Sequence, residues 1–549
     1  MPYRSHTHDE TAARQETGLV ADMVRQFADP YTFVRELVQN GIDAGATELK
    51  IRAEMRHDGG VALSVTDDGE GMTREIIEGP LLTLFNSAKD EQEGKIGKYG
   101  IGFVSVFAVG PAEVIVETWR AEGSWQLTLL PDHSYELATG KARAGSGSVV
   151  TLVLPPDGDM TVHAERTHGA VVRWCRHAAI PIHWTHQSHG QPVERERIDR
   201  PLAVSSPVTV SSEVGGAHII VGPSPGSESN DDPELAASFI GFYNHGLTLF
   251  ESTTPPDDDL VGMRVKILSA ELQHTLSRDN VRHDRAYGRA ISNAVALSRR
   301  PLRSKLRTEL EDAALTVAAG GDTGRYEQLL RVATGRAMEL SAKEIVVPLT
   351  DPIDGETARM ANDCHWSKTV VARASSSTVA TRTLADRGTP VVMVRSAVMA
   401  MALQQVFGGR LTDVDTQVCV VTPRKQDANG RALCRETLRA LKAADVSVDT
   451  VELGRTASPA IRAAVPCEPG EVALFDRHEW PDWLTRRKTS ESILLVAKHE
   501  PVARALALAA TNARAAGALL ARYLLVEARG EVSSETSEAL LAAGTGRPE

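Results

Sequence analysis

The sequence predicts an α/β protein of several domains, and three observations carry that prediction. The chain is 549 residues long, too long for one hydrophobic core, and ordinary domain sizes divide it into ~3 to 4 parts. Near its start an amphipathic helical stretch leads into two alternating strands joined by a glycine turn. The alternation of strands and helices then restarts near residue 217 and again near residue 369, each time after polar or loop-rich segments.

Composition removes several classes. Charged residues make up 24% and hydrophobic ones 42%, which fits a globular chain and not a disordered one. The net charge of -12 weighs against a general nucleic-acid binder, because phosphate neutralisation needs a basic surface. Five scattered cysteines without a CxxC pair fit a reducing compartment and argue against a disulfide framework or a zinc ribbon. Residues 1–18 have no apolar core, and no run approaches the ~20 apolar residues of a membrane span. The expectation is a cytoplasmic protein with no membrane or nucleic-acid partner.

The elements follow in order. Residues 19–27 have helical spacing and end at the turn Asp29-Pro30. The stretch YTFVRELVQNGIDAGA (31–46) reads as a helix. At ~100° per residue Glu36, Asn40 and Asp43 share a narrow stripe, while Val34, Leu37 and Val38 face the other way. Taken alone, that is an ordinary helix with a wet face. Strands are expected at 48–54 and 61–66, the second running into DDGEGM (67–72). A helical segment, 73–86, breaks at Gly79-Pro80. The polar SAKDEQEGK (87–95) and the glycine cluster GKYGIGF (97–103) follow, then an apolar helical run to 109.

Strands at 112–118, 124–130 and 149–154 and a helix within 168–182 complete a first domain. The histidine-rich 183–189 is read as a solvated linker in preference to a metal site, and Asp257 to Asp259 as an exposed loop. A second α/β domain has strands at 217–221, 239–243, 247–250 and 263–268, then helices over 284–319 and 326–340. The third pattern has strands at 369–372, 390–394, 418–421 and 446–451, with a helix at 428–443. It closes with a strand at 493–496 and one long helix, 501–525. Ala505, Leu508, Ala509, Ala516 and Leu519 lie on one face of that helix, a seam for another subunit or for the chain's own core. The expected domains are 1–190, 191–350 and 351–549.

Glycines let backbone amides approach a phosphate chain, and Gly97, Gly100 and Gly102 stand just before an apparent helix, where free amides favour an anion. A purely structural turn explains them equally well. The order GxxGxG is not the dinucleotide fingerprint, and no P-loop occurs. Asp67, at the end of an apolar strand, could accept a hydrogen bond from an exocyclic amine, or simply form a turn. Asn40 offers a neutral oxygen suited to a magnesium ion that keeps waters and phosphate oxygens. Glu36, one turn earlier, could orient and deprotonate water.

The segments ELVQN-GID, DDGEGM, GKYGIGF and GSVVTL resemble, in order, the four nucleotide-binding boxes of the GHKL ATPases (gyrase, heat-shock protein 90, histidine kinases, MutL). The block 15–44, VVRWCRHAAIPIHW (171–184), LQHTLSRDNV (272–281) and ILLVAKHEPVARAL (493–506) are similar to the heat-shock protein 90 family in its bacterial, HtpG-like form. That resemblance implies a two-layer α/β sandwich of the GHKL (Bergerat) kind, then an α/β middle domain and a small α+β C-terminal domain that dimerises near 490–549.

It also implies an ATP-driven chaperone acting on client proteins as a homodimer, with ATP and Mg2+ as ligands. Glu36 would be the general base, Asn40 the magnesium and phosphate ligand, and Asp43 part of the pocket. Asp67 would read adenine, Gly71 and Met72 would shape the base pocket, and Ser148 would stand where the family has a threonine. Gly97, Lys98, Gly100, Ile101, Gly102 and Phe103 would form the phosphate-side loop. Lys89 falls near the family's lid lysine, and Arg278 would reach the γ-phosphate. The lid, 87–95, is shorter than the chaperones' and is similar to compact-lid relatives of the MORC and sacsin kind. The alternative is therefore a MutL- or MORC-type ATPase acting on nucleic acid or in a defence or signalling complex. A histidine kinase is not expected, since only about thirty residues precede Tyr31.

Overall fold

The computed structural model describes residues 29–82, 102–132, 134–156, 160–187, 193–226, 232–275, 280–365, 370–457, 462–477, 481, 483–484 and 492–545. The chain divides into two compact units, Met1–Arg303 and Ser304–Glu549.

The first unit contains two sheets. The larger has eight strands: β1 Leu49–Met55, β2 Val61–Asp67, β3 Glu113–Arg120, β4 Gly123–Leu129, β5 Tyr135–Thr139, β6 Gly147–Leu154, β7 Ile182–Gln187 and β8 Glu194–Arg197. Their order is β5-β4-β3-β6-β2-β1-β7-β8. Only β1 and β7 pair in parallel. In β1 the residues Leu49, Ile51 and Ala53 are buried while Lys50 and Arg52 are exposed. A one-residue slip would expose the whole apolar row, so the register is tightly specified.

Two helices, α1 Phe33–Asp43 and α2 Met160–Cys175, pack on this sheet. A 3-10 turn, Pro30–Thr32, leads into α1, and the Asp29 carboxylate caps that turn by accepting the Tyr31 N–H at 3.0 Å, which satisfies an otherwise orphaned donor. It buries Phe33, Val34, Leu37 and Val38 in one core with Leu63, Val65, Leu152 and Val171. Burying four such side chains contributes ~8 kcal/mol before entropy is charged against it. The helix stops at Ala44 and Gly45, the latter at φ +72°, a left-handed turn that glycine makes without strain.

Several expectations change here. The histidine-rich segment is not a linker, because Ile182–Gln187 is strand β7 beside β1, with Trp184 5% exposed. Ile182 and Trp184 alternate inward, and the polar residues between them hid a period of two. Among the described residues no group of three or more metal-ligating side chains forms. Strand β8 belongs to the same sheet, so that sheet runs past the boundary expected at 190. Strand β5 was not expected.

The second sheet, order β12-β11-β13-β10-β9, comprises β9 Val210–Val214, β10 Ala217–Pro223, β11 Phe239–Asn244, β12 Leu247–Ser252 and β13 Met263–Ser269. Helix α3, Arg285–Arg299, packs on β10. The single helix expected over 284–319 is two, because Pro301 opens a new one, Pro301–Ala318, where its missing N–H does no harm.

The two sheets of this unit meet through a buried polar junction at the end of α2. Thr248 donates to the Arg173 carbonyl at 2.9 Å. Gly246, at φ +80°, lies so close to the His177 carbonyl that a Cβ would sit 1.8 Å from the oxygen. Arg176 pairs with Glu251 and, at 3.2 Å, with Glu234. Lys266, 2% exposed, pairs with Glu234 and reaches His177 Nε2 at 2.8 Å. His177 Nδ1 donates to the Arg200 carbonyl at 3.1 Å, so its Nε2 accepts from the ammonium. Burial, and then the positive Lys266, pushes the His177 pKa down from 6.5 to about 4.

The second unit holds two five-stranded sheets. Strands β14 Val346–Ile353, β15 Glu356–Met360, β16 Val371–Ala374, β17 Val391–Met393 and β18 Leu411–Asp413 run in the order β15-β14-β17-β16-β18. Strands β19 Val418–Pro423, β20 Thr450–Arg455, β21 Ala464–Pro466, β22 Ala473–Asp476 and β23 Ser492–Val496 run β21-β23-β20-β19-β22. A boundary at 350 would cut β14. The long C-terminal helix is two, Glu500–Ala509 and Ala513–Arg529, because the Asn512 side chain caps the second by accepting the Ala515 N–H. Of the expected seam, Ala505, Ala509 and Ala516 are buried in the unit's own core, with Leu433 and Leu441. Leu508 and Leu519 are 37% and 59% exposed.

The junction makes stability depend on pH. His177 binds its proton less readily folded than unfolded, so its contribution is complete above pH 6.5 and falls as the pH drops towards about 4. The loss amounts to ~3 kcal/mol. Denaturation of the full chain between pH 7 and pH 4 should show it, and His177→Gln should flatten the profile.

Candidate functional site

Helix α1 and the C-terminal end of β2 are brought together by a glycine. A Cβ on Gly41 would lie 2.8 Å from Leu49 Cδ2 and 3.3 Å from the Asp67 Cβ, so the helix can come this close to the strand only without a side chain there. The following turn fastens both. Glu70 N–H donates to the Ala44 carbonyl at 2.9 Å, and the Asp68 carboxylate accepts the N–H groups of Thr47 at 2.7 Å and Glu48 at 3.0 Å. Asp67 in turn accepts the Gly69 N–H at 2.9 Å. The DDG sequence therefore makes a turn and also leaves Asp67 at the sheet's end beside α1. Burial raises the Asp67 pKa, while N–H groups of Gly69 and Ser148 work the other way.

Asp67 belongs to a row across the sheet. Its register partner is Ser148, and the partner of Ser148 on the far side is Thr118. Ser148 is 8% exposed and Thr118 1%. The Thr118 hydroxyl accepts the Met72 N–H at 2.8 Å, donates to the Gly147 carbonyl at 3.2 Å and lies 3.1 Å from the Ser148 hydroxyl. Gly71, at φ +69°, has no room for a side chain, since a Cβ would lie 2.5 Å from the Trp119 carbonyl. The row continues to Trp125, paired with Thr118, and the Arg74 guanidinium lies 5.5 Å from that ring.

On α1, Glu36 is 9% exposed and its carboxylate pairs with the neighbouring Arg35 at 3.1 Å. Arg35 is itself 3% exposed and sits 4.9 Å from the Trp174 ring. Asn40 is exposed one turn on. Asp43 is exposed too, and it accepts from Gln39 at 2.9 Å. The hydroxyl of Ser105 donates to the Gly102 carbonyl at 2.6 Å, which anchors Gly102 and the buried Phe103 at the start of the helical turn Phe103–Val109.

The structure thus brings Asp67, Gly71, Met72 and Ser148 together at one end of the sheet, with Gly41 of α1 against Asp67, and it places Glu36 and Asn40 on that same helix. Asp43 lies at the outer end of the same helix. Lys89, Gly97, Lys98, Gly100, Ile101 and Arg278 lie outside the described residues. Sequence reasoning missed Thr118 and Arg35. Thr118 had a signal: in EVIVETW the inward positions read Val114, Val116, Thr118, a polar residue on a buried parity. Arg35 had none, since a buried arginine beside an acid looks like any charged pair on a helix.

Residues 30–138 match the family described as histidine kinase-, DNA gyrase B-, and HSP90-like ATPase. The first unit therefore carries a GHKL-type nucleotide-binding domain. Curated relatives are named chaperone protein HtpG. The one from Wolbachia sp. subsp. Brugia malayi (strain TRS) is 30% identical over 200 residues, 30% of this chain and 31% of that protein. The one from Methylobacterium sp. (strain 4-46) is 27% identical over 215 residues, covering 32% and 34%. The one from Methylococcus capsulatus is 30% identical over 199 residues, covering 30% of each. The match spans about a third of the length of these relatives, and over that stretch the chain is similar to them. No helix among the described residues is long and apolar enough to cross a membrane.

The close approach at Gly41 is testable. Gly41→Val should cost ~1–3 kcal/mol through overpacking against Leu49 and displace α1 from Asp67. Chemical denaturation measures the first effect. A near-wild-type midpoint would show that the helix does not rest on the strand there.

Proposed function

We propose that the chain is an ATP-dependent, chaperone-like machine that hydrolyses Mg-ATP to drive a conformational change in a dimer. The observation that carries the reading is the row Asp67, Ser148, Thr118 at the end of the sheet, with α1 held over it by Gly41 and the Glu70–Ala44 bond. A base bound beside that row would meet acceptors at Asp67, so an exocyclic amine fits there. The polar face of α1 then runs from the base towards the phosphates, ending in a carboxylate and an amide one turn apart.

Glu36 is the base of the proposed reaction. Water held by its carboxylate is deprotonated as it attacks the γ-phosphorus, and the bond to the bridging oxygen breaks to release ADP. The ion pair with Arg35 holds the carboxylate in place before the nucleotide arrives. Asn40 suits magnesium: its exposed, neutral amide oxygen is a hard ligand that leaves coordination positions for water and phosphate oxygens. The ion would offset the charge of the phosphates. Arg278 is proposed to contact the γ-phosphate, and Gly97 to Gly102 to wrap the phosphates. Client proteins complete the reading, supported by the word chaperone in the names of the HtpG relatives, and with them we propose a homodimer through the region 490–549 and a cytoplasmic setting.

Glu36→Ala should still bind ATP while hydrolysis falls ~100-fold or more. Wild-type turnover in that variant would remove Glu36 from the role of base. For the dimer, light scattering on the full chain and on a chain ending before Ile493 should give twice and once the chain mass. A dimer in both would move the interface elsewhere, and a monomeric full chain would remove the dimer.

A further inference from the structure

We infer that Thr118 is a positioning residue that fixes the hydrogen-bonding polarity of Ser148 and so makes the pocket select a base with an exocyclic amine. The inference rests on the proposed nucleotide reading and concerns how that site discriminates. Its basis is proton counting. The Thr118 hydroxyl has three polar neighbours: the Met72 N–H at 2.8 Å, the Gly147 carbonyl at 3.2 Å and the Ser148 hydroxyl at 3.1 Å. An N–H can only donate and a carbonyl can only accept. Only one assignment makes all three contacts hydrogen bonds. Thr118 accepts from Met72, gives its single proton to Gly147 and uses its second lone pair for Ser148. Ser148 must therefore be the donor in that pair.

The consequence lies on the pocket side. With its proton turned towards Thr118, Ser148 presents only lone pairs to whatever lies beside it. Asp67, its register partner in β2, presents acceptor oxygens as well. The pair then forms an acceptor wall that suits the two hydrogens of an amino group and opposes a carbonyl oxygen at the same place. Thr118 is 1% exposed and touches no base itself. It acts through Ser148. The arrangement is also held from both sides, because Met72 follows the Gly71 turn and Gly147 precedes Ser148, so one hydroxyl joins the two turns that frame the base.

The test compares ADP with inosine diphosphate, whose base carries a carbonyl oxygen where adenine has its amine. Calorimetric titration of the full chain should show wild type preferring ADP by ~100-fold. Thr118→Val removes the hydroxyl at nearly constant shape and should cut that preference ~10-fold or more, whereas Thr118→Ser should restore it. Ser148→Ala should lower the preference by a similar factor, and adding Thr118→Val to it should change the ratio no further. An unchanged ratio in Thr118→Val overturns the inference, as does a double variant whose losses multiply. Should Thr118→Val not fold, an unchanged ratio in Ser148→Ala overturns it alone. Wild type that binds ADP well while the variants keep its ratio leaves the nucleotide reading intact. Wild type that binds neither nucleotide removes both.

Discussion

Everything at the candidate site depends on how close α1 can come to the end of β2. Gly41 sets that distance, since any side chain there would meet Leu49 and the Asp67 Cβ. Helix α1 is pressed onto the sheet by Phe33, Val34, Leu37 and Val38, and Gly41 on that same face meets Asp67. The DDGEG turn then closes the geometry, because Asp68 and Glu70 spend their hydrogen bonds on the backbone just past the helix. Burial energy supplies the force, and the missing Cβ lets that force act at short range.

Much of this was legible in the sequence, for identifiable reasons. The stripe of Glu36, Asn40 and Asp43 follows from helical periodicity, β1 from alternation, and β6 from an apolar run between a glycine-serine turn and two prolines. Ser148 came from family resemblance, and the sheet register explains it by setting it opposite Asp67. What escaped was information that lives between strands. Thr118 lies eighty-two residues from Glu36, and only the pairing β2-β6-β3 makes it a neighbour of the site. Strand β7 escaped for a different reason: its outward residues are His183, Thr185 and Gln187, so the local composition imitated a linker. The long C-terminal helix was over-extended because Asn512 sits in an otherwise helical run and its capping role appears only in three dimensions.

The junction between the two sheets of the first unit shows a different kind of constraint. Lys266 and His177 are buried, and burial works against the charged form of each. Glu234, shared by Lys266 and Arg176, offsets that cost, and the histidine remains neutral to serve as an acceptor. Such a cluster contributes little net stability compared with an apolar contact. Its geometry is strict, however, because each partner accepts or donates in one direction only. Gly246 adds a steric condition, with the His177 carbonyl occupying the place of a side chain. A polar lock of this sort favours one arrangement of the two sheets over its near alternatives.

Those two constraints bear on each other through α2. Its last turn carries Trp174, against which Arg35 packs, and the chain continues directly into Arg176 and His177 of the junction. Arg35 is also the partner of Glu36. A continuous run of contacts therefore leads from the proposed catalytic carboxylate, through a buried arginine and an indole ring, to the ion pairs that join the second sheet. The last turn of α2 therefore serves two neighbours at once: its indole supports the Arg35 that pairs with Glu36, and the residues that follow it carry the ion pairs joining the second sheet.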